Sequence, residues 1–198
     1  MGGSLIMSIE EQKRLIRNEV KQKLMRLPMS WVQEESHTIQ EAVMESRAYR
    51  EAETICCYVS FGKEVQTLLI LKDALKSGKR VGVPLCVAKG IMEIREIRSF
   101  EDLEPGVYGI AEPKKTTRII EKKEIDCAII PCVTCDRSGG RMGHGAGYYD
   151  RYLADADFLK MILCFEEIMV PKVPMDSYDI AMDAVVSQKG VQCIKRSR

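Results

Sequence analysis

The hydrophobic period of the chain changes at residue 54, and this change restricts the fold more than any other feature. The run TICCYVSF is continuous, apolar and rich in β-branched and aromatic residues, as buried strands are. The next segment, VQTLLILKDALKSG, has helical periodicity and ends at Gly78, and KRVGVPLC is a second apolar strand. This order of strand, helix and strand predicts a parallel βαβ unit.

Further strand patterns extend this unit into a sheet. MEIREIRS alternates like a half-exposed strand, IDCAIIP is a buried strand that ends at Pro131, and KMILCF and DAVVSQ are two more candidates. No repeat or linker interrupts the chain, and 198 residues suit one domain with a substantial core. Residues 1–198 are therefore predicted to form a single three-layer α/β domain, with a mostly parallel central sheet flanked by helices. Residues 1–7 are set apart as a leader or a disordered segment.

Two helices are predicted before the first strand. Ser8 and Glu11 have the spacing of a capping box at the start of the first helix, which Pro28 ends. Ser30 and Gln33 have the same spacing and predict the start of the second helix.

Charge and composition exclude several classes of function. Thirty basic and twenty-nine acidic residues give a net charge of +1, so no overall field would attract nucleic acid or a membrane surface. No apolar run reaches the ~20 residues of a membrane helix, and no signal peptide is recognisable, so we expect a cytoplasmic protein. The eight cysteines lie mostly in apolar segments and are predicted to be free thiols.

The glycine-rich stretch DRSGGRMGHGAGYYDRYL follows the buried strand IDCAIIP, a position where parallel sheets bind ligands. Successive glycines let backbone amides approach a phosphate, and a helix starting near Tyr148 would add its positive end. Arg141 and Arg151 are candidate cations for the same anion. The spacing is neither that of a P-loop nor that of a dinucleotide fold. A flexible surface loop remains the alternative interpretation.

These residues also carry a resemblance to a known family. GGRMGHGAGYYDRYL resembles the signature of the 5-formyltetrahydrofolate cyclo-ligases, also called methenyltetrahydrofolate synthetases. The resemblance extends to IIPCVTCD, to CFEEIMVPKVPMDSYDIAMDAVV and to KRLIRNEVKQKL, and so covers nearly the whole chain. It implies a fold like that of the NagB/RpiA/CoA transferase group.

The activity implied by the resemblance is the cyclisation of 5-formyltetrahydrofolate to 5,10-methenyltetrahydrofolate. ATP and Mg²⁺ are required, the formyl oxygen is phosphorylated to an imine phosphate, and ADP and phosphate are released. The implied partners are ATP and the folate, with or without a polyglutamate tail, and we expect a monomer. The chemistry requires positioning of two ligands and neutralisation of phosphoryl charge.

The resemblance also assigns the nucleotide and metal sites. Arg141, His144 and Tyr148 are the implied catalytic residues, and Asp150 and Asp183 are the implied magnesium ligands. Without the resemblance these two aspartates would be a first-turn helix residue and a loop residue. The implied ATP-binding residues are Lys13, Arg17, Arg141, Met142, Gly143, His144, Gly145, Ala146, Gly147, Tyr148 and Tyr149. On helical spacing alone, Lys13 and Arg17 would be a solvated basic face.

Folate recognition is assigned in the same way. A carboxylate at Glu64 can accept paired hydrogen bonds from the amino-pyrimidine edge of a pterin. On periodicity alone, Val59 and Met92 would be core residues. Ala146 stands where some relatives have lysine, which leaves the phosphoryl group to Arg141, Lys13 and His144. The implied folate-binding residues are Val59, Glu64, Tyr108, His144, Gly145, Ala146, Gly147 and Tyr148.

Two other classes of function compete with the enzyme. One is a nucleotide- or folate-binding paralogue of the same fold that has lost turnover. The other is a redox or zinc protein built on Cys132 and Cys135, which form a C-x-x-C pair. No second such pair is present in the sequence, which favours a packing role for these cysteines.

Overall fold

The computed structural model describes residues 7–106 and 109–195. The first helix, α1, has Ser8 as its N-cap, and the predicted capping box with Glu11 is confirmed. The second predicted capping box is wrong. Pro28 is the N-cap of α2, so Ser30 already lies inside the first helical turn and makes no cap. The helices are α1 (Ile9–Arg26), α2 (Met29–Glu45), α3 (Arg47–Glu51), α4 (Leu68–Lys76) and α5 (Tyr148–Leu153).

Seven strands of the described residues form the central sheet, and four short ones form two hairpins. The sheet strands are β1 (Thr54–Cys57), β2 (Arg80–Ala88), β3 (Ile91–Ile97), β6 (Cys127–Ile130), β9 (Leu159–Leu163), β10 (Ala184–Ser187) and β11 (Gly190–Cys193). The hairpin strands are β4 (Leu103–Pro105), β5 (Ala111–Pro113), β7 (Thr134–Cys135) and β8 (Arg141–Met142).

The spatial order of the sheet is β11-β10-β9-β6-β1-β2-β3. The strands from β10 to β2 are parallel to their neighbours, and β3 and β11 are antiparallel edges. Thr54 pairs with Arg80 in parallel register, so the predicted βαβ unit is confirmed. The chain is thus a single α/β domain whose mostly parallel sheet is flanked by helices, as predicted.

The core lies on the central strands. Every residue of β1, β6 and β10 is buried, because helices leave little of a parallel sheet exposed to water. Burying each large aliphatic side chain contributes about 1.5–3 kcal/mol. All eight cysteines are free thiols. No helix within the described ranges combines the length and apolarity needed to cross a membrane.

Topology determines where a ligand site can form. β1 and β6 are adjacent and parallel, so the segments that follow them meet at the same edge of the sheet. One segment runs from Tyr58 to Glu64, and the other begins at Pro131 and contains the glycine loop.

Candidate functional site

A buried aspartate shapes the turn that opens the glycine loop. After Pro131 the chain forms the β7–β8 hairpin, in which Cys135 pairs with Arg141. Asp136 Oδ1 accepts hydrogen bonds from Ser138 N at 2.8 Å and from Gly140 N at 3.1 Å. Its Oδ2 accepts one from Val173 N at 2.8 Å. Burial opposes ionisation, but these bonds and that of the Ser138 hydroxyl outweigh it and lower the pKa of Asp136.

We expect Asp136→Asn to destabilise the protein by about 1–3 kcal/mol at pH 7, because an amide nitrogen would face backbone donors. The pKa of Asp136 is lower in the folded than in the unfolded protein. Its stabilisation is therefore complete above the unfolded pKa, about 3.9, and is lost as the pH falls through the folded value. Urea denaturation of the wild-type protein and of Asp136→Asn at pH 7 and pH 3 measures the difference in their free energies of unfolding. A stability difference that does not shrink in acid would contradict it.

Arg141 is the most buried cation of the loop, with a side chain only 3% exposed. Its Nη2 donates to Asp150 Oδ2 at 2.9 Å and its Nη1 to Pro131 O at 3.3 Å. The guanidinium carbon lies 5.4 Å from the ring centroid of Tyr149, within cation–π range. The buried Nε has no hydrogen-bond partner among the described residues. A buried donor without a partner is costly, so this atom suits an oxygen supplied by a ligand.

Two glycines of the loop, Gly143 and Gly145, lie against arginines, and of the two only Gly143 would be crowded by an added Cβ. A Cβ at Gly143 would lie 2.9 Å from Arg141 Nη1, and one at Gly145 would lie 3.5 Å from the guanidinium carbon of Arg17. Gly145 also has φ +98°, which disfavours any side chain. Arg17 Nε donates to Gly143 O at 2.9 Å, so α1 is bonded directly to the loop.

Lys13 lies one turn before Arg17 on α1 and is held by two aspartates. Its Nζ lies 3.3 Å from Asp176 Oδ2 and makes a short hydrogen bond to Asp179. Burial opposes the charge, but the bonds and attraction of Asp179 and Asp176 outweigh it and raise the pKa of Lys13. The ammonium is thereby fixed and charged at the edge of the pocket.

Glu64 and the apolar residues near it lie on the side of the pocket that follows β1. Glu64 Oε2 accepts a hydrogen bond from Phe61 N at 2.8 Å, which fixes the carboxylate at the end of its turn. His144 Nε2 lies 3.6 Å from Glu64 Oε1, so the glycine loop reaches this carboxylate. Met92 is a buried core residue and Val59 packs against the core, as periodicity predicted, and both also line the pocket.

The charged groups Lys13, Arg17, Glu64 and Arg141 line one pocket of about 660 Å³, a volume typical of small-molecule sites. Of the predicted site residues, it brings together Lys13, Arg17, Val59, Glu64, Arg141, Met142, Gly143, His144, Gly145, Ala146, Gly147, Tyr148, Tyr149 and Asp150. Tyr108 lies outside the described residues. The remaining one, Asp183, does not line the pocket.

Asp183 precedes β10 and therefore lies at the amino edge of the parallel strands, next to Met182, whose N donates to Gly139 O at 2.9 Å at the start of the glycine stretch. Its Oδ2 accepts a hydrogen bond from Lys160 N at 2.9 Å and lies 3.3 Å from Lys160 Nζ. The side chain thus connects β9 to the start of β10. Because Asp183 does not line the pocket, its magnesium role stays a prediction, whereas Asp150 does line the pocket.

Some residues of the site were not predicted, and one has a different role. Asp176 and Asp179 lie in the loop before β10 and reach Lys13 only through the fold. The spacing of these aspartates in PMDSYD predicts a turn, but it does not indicate that they pair with Lys13. Arg151, a predicted anion ligand, instead donates to the carbonyls of Gly90, at 3.0 Å, and Ala146. It supports the loop from outside the lining of the pocket.

The fold and this pocket define an α/β protein with a ligand site at the carboxyl ends of its parallel strands. The family model described as the 5-formyltetrahydrofolate cyclo-ligase family matches residues 9–188. The chain therefore belongs to this family of cyclo-ligase enzymes.

Individual relatives agree with this assignment. The probable 5-formyltetrahydrofolate cyclo-ligase of Schizosaccharomyces pombe is 31% identical, over 91% of this chain and 97% of that protein. The cyclo-ligase of Saccharomyces cerevisiae is 30% identical, over 90% and 96%. The solved 5,10-methenyltetrahydrofolate synthetase of Aquifex aeolicus shares the fold, with a TM-score of 0.84, 24% identity and 94% of each chain covered.

Proposed function

We propose that the protein uses ATP and Mg²⁺ to convert 5-formyltetrahydrofolate into 5,10-methenyltetrahydrofolate. The formyl oxygen attacks the terminal phosphorus of ATP and ADP leaves. The neighbouring nitrogen then attacks the carbon of the imine phosphate, and phosphate departs. The observation that carries this proposal is the convergence of Arg141, the glycine loop and Glu64 on one pocket in a member of this family.

We assign nucleotide binding to the cations of the glycine loop and of α1. Arg141 is buried and oriented by Asp150, so its charge is preorganised and little water screens it. Its unpaired Nε is a donor for a phosphoryl oxygen. Arg17 adds positive charge from the adjoining helix, Lys13 offers an ammonium there that two aspartates already pair with, and exposed amides of the glycines can approach phosphate closely. Ala146 contributes no cation, so neutralisation of the transferred phosphoryl group is assigned to Arg141, Lys13 and His144.

The donor set of the pocket fits a magnesium ion that arrives with the nucleotide. Mg²⁺ is commonly held by one or two carboxylates together with water and substrate phosphates. Asp150 offers such a carboxylate in the pocket, and Arg141 holds it in place. Once bound, the ion would neutralise charge on the terminal phosphates. Asp150 is the ligand that we propose.

The folate side is assigned to the wall around Glu64. A carboxylate there can accept two hydrogen bonds from the amino-pyrimidine edge, while Val59 and Met92 offer apolar contact to the rings. His144 lies between this carboxylate and the glycine loop, so it borders both ligands.

A direct assay tests the proposed reaction. Purified protein is incubated with 5-formyltetrahydrofolate and Mg-ATP, and the near-ultraviolet absorbance of methenyltetrahydrofolate is followed. We expect product only when folate, ATP and Mg²⁺ are all present, and EDTA should abolish it because the phosphates lose their counter-ion. Absence of ATP-dependent product would overturn the proposal.

The alternative function is a binding protein of the same fold without turnover. Calorimetric titration separates the two, since a binding paralogue would take up folate or nucleotide and form no product. The joint presence of Lys13, Arg17, Glu64, Arg141 and Asp150 in one pocket favours the enzyme.

A further inference from the structure

Three thiols lie together beside the strand pair that carries Arg141. The Sγ atoms of Cys132, Cys135 and Cys164 are all within 4.8 Å of one another. The sequence showed only the first two as a pair. Cys164 follows β9, which is the neighbour of β6 in the sheet, so only the topology brings the third thiol to the cluster.

The three thiols are not equivalent. Cys132 is partly exposed, whereas Cys135 and Cys164 are buried. Hydrogen bonding with Cys135 and with Cys164, aided by the charge of Arg141, lowers the pKa of Cys132 against the effects of burial and of Glu64. The pKa values of Cys135 and Cys164 are raised, first of all by their hydrogen bonds to Cys132. Cys132 Sγ donates a hydrogen bond to Leu163 O at 3.2 Å, so the structure holds three thiols, of which Cys132 is the partly exposed one and the one with the lowered pKa.

The cysteines outside the cluster do not combine partial exposure, a lowered pKa and two neighbouring thiols. Burial raises the pKa of Cys56 and of Cys127 to about 12, which leaves them as inert thiols. Cys193 is exposed but lies at the end of the edge strand β11. Within the described residues, the trio is the only such group of three ligand-type side chains.

The surroundings favour redox chemistry over a metal. Structural zinc sites take four protein ligands, and the cluster offers three. Asp136 is the neighbouring carboxylate, but hydrogen bonds from Ser138, Gly140 and Val173 already engage both of its oxygens. The charge of Arg141 also favours an anionic sulfur over a second cation nearby.

We propose that Cys132 is a peroxide-reactive thiol that forms a disulfide with Cys135 or Cys164. The Cys132 thiolate attacks one oxygen of hydrogen peroxide, an S–O bond forms, the O–O bond breaks, and hydroxide leaves to become water. A neighbouring thiol then attacks the sulfenic sulfur. The S–S bond forms, the S–O bond breaks, and a second water leaves with the thiol proton. Two thiols thus supply the two electrons that reduce one peroxide.

The disulfide would change the geometry of the active loop. Bonded sulfurs are about 2.05 Å apart, so these atoms must move closer than they are in the reduced cluster. Cys135 pairs directly with Arg141 across β7 and β8, and Pro131, which precedes Cys132, accepts a hydrogen bond from Arg141. Displacement by about 1 Å in an active site can cost roughly 10²-fold in rate. This effect on turnover rests on the proposed function, whereas the disulfide itself does not.

Mass spectrometry tests the disulfide independently of activity. The protein is treated with hydrogen peroxide, denatured, alkylated and digested. We expect the intact chain to lose two hydrogen atoms and a peptide joined through Cys132 to appear, both reversed by dithiothreitol. Cys132→Ser should remain reduced, while Cys193→Ser should oxidise as the wild type does.

Two results would overturn the proposal. One is full alkylation of all three thiols after peroxide treatment of the wild-type protein. The other is a stoichiometric metal in the purified protein that is lost in Cys132→Ser, which would make the trio a metal site. The activity assay, run on the same samples, should show about a 10²-fold loss on oxidation. Unchanged turnover of the disulfide form would refute the proposed effect of the disulfide on Arg141. A protein that is inactive before oxidation would count against the proposed function and not against the disulfide.

Discussion

Arg141→Ala is expected to lower the turnover number by about 10²- to 10³-fold, the loss typical of removing one preorganised donor from a transition state. The guanidinium is 3% exposed, so its charge acts where water screens little. Phosphoryl charge moves during the reaction rather than on binding. The turnover number should therefore fall more than the KM for ATP rises. Steady-state kinetics with ATP and folate varied separately measure both.

Arg137→Ala is the matched control for this variant. Arg137 lies four residues earlier, is half exposed, and binds Glu166 and Gln192 instead of the pocket. Surface pairs of this kind contribute about 0–1 kcal/mol, so activity and stability should hardly change. Arg141→Lys keeps the charge but loses the planar fork, and an intermediate rate is expected. Full activity of Arg141→Ala in a folded protein would refute the role assigned to Arg141.

Local sequence rules predicted the elements that are defined by local chemistry. The continuous apolar runs became buried strands because a parallel sheet covered on its faces leaves them no polar side. The capping box at Ser8 was recognisable because its two hydrogen bonds lie within one turn. At Ser30 the same spacing failed, because Pro28 had already started the helix.

Contacts between distant segments could not be predicted in this way. The pairing of Lys13 with Asp179 and the meeting of Cys132 with Cys164 depend on which strands become neighbours. Asp183 shows the converse. It stands directly before a parallel strand, and strand polarity places such a residue at the amino edge of the sheet, where Asp183 accepts a hydrogen bond from Lys160 N. The metal role that the family resemblance implies for Asp183 stays a prediction.

Glu64→Gln is expected to lower kcat/KM for the folate by about 10- to 100-fold, while the KM for ATP stays nearly constant. The glutamine oxygen can still accept the hydrogen bond from Phe61 N, so the turn should be preserved. The change removes the negative charge that would accept bonds from the amino-pyrimidine edge. Hydrogen bonds to charged groups contribute about 1.5–3 kcal/mol, which corresponds to this range.

Glu10→Gln provides the matched control for Glu64→Gln, because Glu10 also lines the pocket but is exposed on the first turn of α1. Both variants change the charge of the pocket by the same amount, so only a specific contact can separate them. An exposed carboxylate is screened by water, and kcat/KM for the folate should change less than about 3-fold in Glu10→Gln. If both variants lost folate efficiency equally, the effect would be one of overall charge. Glu64 would then have no specific part in binding the pterin.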